Sequence, residues 1–67
     1  MTEHTGASNK EYDLVSVLYH ALSGAESCEK YIRDAHDDSR LSEFLSETQQ
    51  QYRAIAENAR QLLKSRL

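Results

Sequence analysis

The chain has 67 residues, with no Pro, two Gly, one Cys and a formal net charge of -3 from eight Lys and Arg against eleven Asp and Glu. A single Cys excludes an internal disulfide framework and a Cys-based zinc cluster. The acidic balance argues against a surface that tracks nucleic-acid phosphates, which needs a basic stripe. No apolar run approaches the ~20 residues of a membrane span, and no signal-peptide core stands near Met1. The expectation is a small cytoplasmic protein with no nucleic-acid or membrane partner.

In chain order, residues 1–8 are polar and aperiodic and read as a disordered tail ending in a helix cap. Ser8-Asn9-Lys10-Glu11 fits a capping box, in which the Ser8 hydroxyl accepts from the Glu11 backbone N–H and the Glu11 carboxylate accepts from the Ser8 N–H. Helix 1 is then expected over about 9–35. Leu14, Leu18, Ala21, Ala25, Cys28, Ile32 and Ala35 recur at alternating steps of four and three, a heptad seam. Glu26, Lys30 and Asp34, with Glu29 and Arg33, form i,i+4 pairs away from that seam and read as a solvated face.

The seam breaks at residues 36–38, where Asp38 is the leading N-cap for the next helix and Asp37 and Ser39 are its rivals. So short a connection forces two long helices antiparallel. Helix 2 is expected over about 39–66, with a seam of Leu41, Leu45, Thr48, Tyr52, Ile55, Ala59 and Leu62. Residues 9–67 therefore form one all-α domain, an antiparallel two-helix hairpin.

A hairpin buries one stripe from each helix. Val15, Val17, Leu22, Phe44, Ala56 and Leu63 fall at or beyond the edges of these stripes, and together they make a candidate interface. Two hairpins packed face to face would cover them and complete a four-helix bundle, so a homodimer or higher even oligomer is expected.

Side chains that could carry chemistry are sparse. His4, His20 and His36 lack a partner at i,i+3 or i,i+4 and read as surface or turn residues rather than metal ligands. Cys28 on the seam reads as a small hydrophobe. Gly24 in mid-helix marks either a close approach by a partner or ligand, or a crowded packing position. Thr48, the polar residue in the helix 2 seam, could fix the register of pairing. Tyr12, Tyr19, Tyr31 and Tyr52 read as core or rim aromatics. Arg53, Arg60 and Lys64 read as a solvated face.

The stretch Leu18-Tyr-His-Ala-Leu-Ser-Gly-Ala-Glu-Ser-Cys-Glu-Lys-Tyr31 resembles the first helix of a ferritin-like or rubrerythrin-like half-bundle. The Asp-capped turn and Leu41-Ser-Glu-Phe-Leu45 resemble the start of that family's second helix. The resemblance implies a four-helix bundle, formed by dimerisation where the protomers are short, as in the encapsulated ferritins, and in the family it carries a di-iron carboxylate site. Glu26 matches the first-helix ligand. The family's Glu-x-x-His on the second helix is missing: Gln51-Tyr-Arg-Ala54 stands there, and no His follows His36.

The leading expectation is therefore a non-catalytic, cofactor-free hairpin that acts by homo-oligomerisation or by docking to a partner protein. The first rival is a ferritin-like iron-binding protein, a degenerate ferroxidase, using Glu26, Glu29 and Glu47 across a subunit interface. The second is an RNA-binding hairpin dimer.

Overall fold

The structure, a computed structural model, describes residues 8–66. Two helices account for them: α1, Ser8–Asp34, and α2, Ser39–Arg66. The absence of Pro leaves both backbone ladders uninterrupted. Charge placement supports the ends, with Glu11 in the first turn of α1, Arg33 in its last turn, and Lys64 and Arg66 in the last turn of α2. The expected tail over 1–8, His4 and the Ser8 hydroxyl lie outside the described residues, although the Ser8 backbone opens α1. The Glu11 carboxylate accepts from Arg66 Nη1 at 3.3 Å and ties the start of α1 to the end of α2.

The connection is tight. Ala35 N–H donates to the Tyr31 and Ile32 carbonyls, and His36 N–H donates to the Arg33 carbonyl, so α1 closes through i→i+3 bonds without a glycine. Asp38 caps α2: its Oδ1 accepts the Leu41 N–H at 3.1 Å, and its carbonyl accepts the Ser42 N–H at 2.9 Å. The helices then run antiparallel and pack along their length.

On α1 the buried residues are Ala21, Ala25 and Cys28, and Ala35 is buried just beyond its end; Leu14, Leu18 and Ile32 are half-buried. This is the expected seam. On α2 the seam is displaced by one residue from the expected one. It runs through Ser42, Leu45, Gln49, Tyr52, Ala56, Ala59 and Leu63, with Gln49, Ala56 and Ala59 buried. Leu41, Ile55 and Leu62, assigned above to the seam, stand outside it and are about half exposed.

The physical reason is size. The middle of the α1 seam is built from Ala21, Ala25 and Cys28, so the helices approach closely there, and Gln49, Ala56 and Ala59 are the buried positions of α2. The closeness is visible at Gly24. A Cβ built there would stand 2.7 Å from Tyr52 Cζ and 2.8 and 2.9 Å from Cε1 and Cε2. The Tyr52 ring therefore lies against the bare backbone of α1. Of the two readings of Gly24 given above, crowding by the chain's own helix is the one observed.

Gln49 completes the interior. Its Nε2 donates to the Ala25 carbonyl at 2.8 Å and to Glu29 Oε2 at 3.0 Å. The polar residue that ties the helices is thus Gln49, not Thr48, whose hydroxyl donates back to the Phe44 carbonyl in its own helix. Glu29 also pairs with Arg53 at 3.6 Å. Among the described residues, no helix is long and apolar enough to cross a membrane.

Candidate functional site

The small side chains are inside and most of the large ones are outside. Ala and Cys fill the seam, while Tyr12, Val15, Val17, Tyr19, Leu22, Tyr31, Leu41, Phe44, Ile55 and Leu62 are all between 45% and 64% exposed. A buried methyl stabilises by about 0.8 kcal/mol, and a buried Leu, Ile or Phe by about 1.5–3 kcal/mol. About half of the apolar area of these ten side chains is therefore left unburied by the hairpin.

These residues do not share one surface. The hairpin is two helices wide and one deep, so it has two broad faces. On the first, Val17, Gly24 and Tyr31 of α1 and Leu41, Thr48, Ile55 and Leu62 of α2 repeat at heptad intervals on either side of the helix–helix groove. Three shallow concavities follow one another along it. The first, near the turn, is lined by Tyr31, Asp34, Ala35, Leu41 and Leu45. The next is lined by Val17, His20, Ala21, Tyr52 and Ile55, and the last by Lys10, Asp13, Leu14, Val17, Leu62 and Arg66. Phe44 lies at the α2 margin of this face by helical spacing.

The opposite face is charged. A concavity there is lined by Leu18, Leu22, Arg53, Ala56, Glu57 and Arg60, and Glu29 pairs with Arg53 beside it. Arg60 pairs with Glu57 at 3.0 Å, and Gln61 donates to the same carboxylate at 2.9 Å. These contacts, the Gln61 hydrogen bond foremost and Arg60 next, hold the Glu57 carboxyl below its ordinary range. Near the turn, the hydrogen bond and charge of Lys30, 2.7 Å away, do the same for Asp34.

The six residues expected to form an interface are therefore divided. Val17 lies on the uncharged face with Phe44 at its margin, and helical spacing puts Val15 and Leu22 on the charged face. Ala56 is buried inside the hairpin and Leu63 is half-buried there, so neither is offered to a partner. Also exposed on the first face, and not among those six, are Tyr31, Leu41, Ile55 and Leu62. Their signal was present as unbroken heptads, but three of the four were assigned to the seam.

Nor are the three candidate metal-binding carboxylates brought together within the chain. Glu29 is held by Gln49 and Arg53. Helical spacing turns Glu26 away from α2, and Glu47 toward the outer side of α2. Among the described residues, no three His, Cys, Asp or Glu side chains group closely enough to hold a metal ion. These residues do not fit a di-iron centre in one chain. His20 is exposed and meets the edge of Tyr19 at a ring separation of 5.4 Å, His36 is exposed in the turn, and Cys28 is 2% exposed in the seam.

No family model matches this chain, and no curated protein or solved structure matches it either.

Proposed function

We propose that this protein is a non-catalytic assembly module whose uncharged face pairs with the same face of a second copy, making a four-helix bundle of two hairpins. The observation that carries the reading is the inversion of size, with Ala and Cys inside and Val17, Tyr31, Leu41, Ile55 and Leu62 outside on one face.

Its dimensions suit the role. Two helices about 40 Å long and about 20 Å across together offer roughly 800 Å², the area that each partner contributes to a standard interface. A second copy is the simplest complement of the face, because the same apolar pattern is matched on both sides.

Light scattering on the eluting protein tests this. The wild type should run at twice the 7.7 kDa chain mass. Ile55→Glu, which places a charge at the middle of the face, should shift it to the single-chain mass with helicity retained by circular dichroism. A wild-type protein that stays a compact, folded 7.7 kDa monomer at micromolar concentration overturns the proposal.

A further inference from the structure

We infer that association is pH-sensitive: a proton taken up by His20 in each copy sets a positive charge in the contact and drives the two hairpins apart. This rests on the dimer proposed above and adds its regulation.

The first observation is position. His20 follows Val17 by three residues and precedes Gly24 by four, so the three share one side of α1. With Val17, Ala21, Tyr52 and Ile55 it lines the middle concavity of the uncharged face. In the single hairpin it is exposed, with its ring against the edge of Tyr19. A helix of a second copy laid over Val17 and Ile55 covers it.

The second observation is what surrounds it. Between Val17 and Tyr31 on α1, helical spacing puts only His20, Gly24 and Ser27 on this face. Between Leu41 and Leu62 on α2 it puts Phe44, Thr48, Gln51, Ile55 and Asn58 there. Tyr52 packs beside His20 from α2, and phenols are neutral at physiological pH. Arg53, Glu57 and Arg60 line the opposite face. Lys10, Asp13 and Arg66 stand together at the open end, with Asp13 one heptad or about 10 Å along α1 from His20. Among the described residues, no carboxylate pairs with His20. A second copy sets the same uncharged middle over it, whichever way round that copy lies. A neutral imidazole can be covered there, whereas an imidazolium loses water and gains no counter-charge. Dissociation therefore takes up protons, and lowering the pH favours the single hairpin.

Sedimentation equilibrium at about pH 7.5 and about pH 5.5 tests this, a window in which histidine titrates and ordinary carboxylates stay ionised. Asp34 and Glu57 are held lower still by the contacts described above. With two imidazoles per dimer, the wild-type dissociation constant should rise by about tenfold or more at the lower pH. His20→Gln should dimerise equally at both, and His20→Arg should be weak at both. A protein carrying His4→Gln and His36→Gln should respond as the wild type does. A wild-type dimer equally tight at both pH values overturns the inference and leaves the dimer standing. So does a pH response that survives His20→Gln. Single-chain mass for the wild type at both pH values overturns the dimer, and the inference with it. Should His20→Gln fail to dimerise at either pH, the wild type decides alone: the His20 ring resonances should titrate in step with dissociation. Titration of that ring with the dimer intact overturns the inference.

Discussion

Gly24 is where one residue type can be traced to one contact. A mid-helix Gly costs about 1 kcal/mol relative to Ala, so Gly24→Ala in an open position would stabilise α1. Here the added methyl would meet the Tyr52 ring 2.7 Å away, and forcing atoms into a filled site costs about 1–3 kcal/mol. The expected outcome is a net loss of about 1 kcal/mol for Gly24→Ala. In a Tyr52→Ala background the sign should reverse to a gain of about 1 kcal/mol. Urea denaturation of the four proteins in a double-mutant cycle reads this directly, and additive effects would show that the ring does not set the requirement for Gly. Gln49 illustrates the limit of reading residues singly. Three consecutive Gln stand at 49–51, and nothing in their identity marks the first as the one that donates to Ala25 and Glu29 across the hairpin.

At the scale of elements, the helices and their connection follow from local chemistry, and the Asp38 cap is the part most open to test. Its Oδ1 accepts the Leu41 N–H, one of the donors that a helix start leaves unmatched. Asp38→Ala should lower stability by about 1 kcal/mol, and Asp38→Asn by only a few tenths, since Asn caps as well. Thermal melts that rank the two equally would remove the cap from the account. The two helices, the turn and the α1 seam were all legible from spacing. The α2 seam was not, because two heptad patterns run through it, sharing Leu45, Tyr52 and Ala59 and differing by one residue elsewhere. Hydrophobic weight favours the pattern with Leu41, Ile55 and Leu62. Close approach across Ala21, Ala25 and Cys28 favours the pattern with Gln49 and Ala56, because a bulky side chain does not fit between backbones set so near. Complementarity between helices decided the register, and periodicity within one helix carries no information about it. The same one-residue displacement carries Ala56 and Leu63 into the interior and turns Leu41, Ile55 and Leu62 outward.

At the scale of the molecule, one hairpin leaves its larger apolar side chains at the surface and buries its smaller ones, which is the wrong way round for a chain that must be stable alone. The cross-helix ion pairs do little to compensate. Arg53–Glu29 and Arg66–Glu11 are solvent-accessible, and exposed pairs contribute about 0.2–1 kcal/mol before solvent and salt screening. If the missing stabilisation comes from a second copy, folding and association are one equilibrium, and the melting temperature must rise with concentration. A tenfold increase in concentration adds about 1.4 kcal/mol per dimer. At about 2.1 cal/mol/K per residue, the unfolding entropy of two such hairpins converts this to a rise of about 5 °C. Calorimetry over a hundredfold range of concentration should therefore find a shift of about 10 °C for the wild type. It should find a lower, concentration-independent transition for Ile55→Glu. A wild-type transition that stays fixed over that range would mean that the hairpin is stable with its uncharged face open to water.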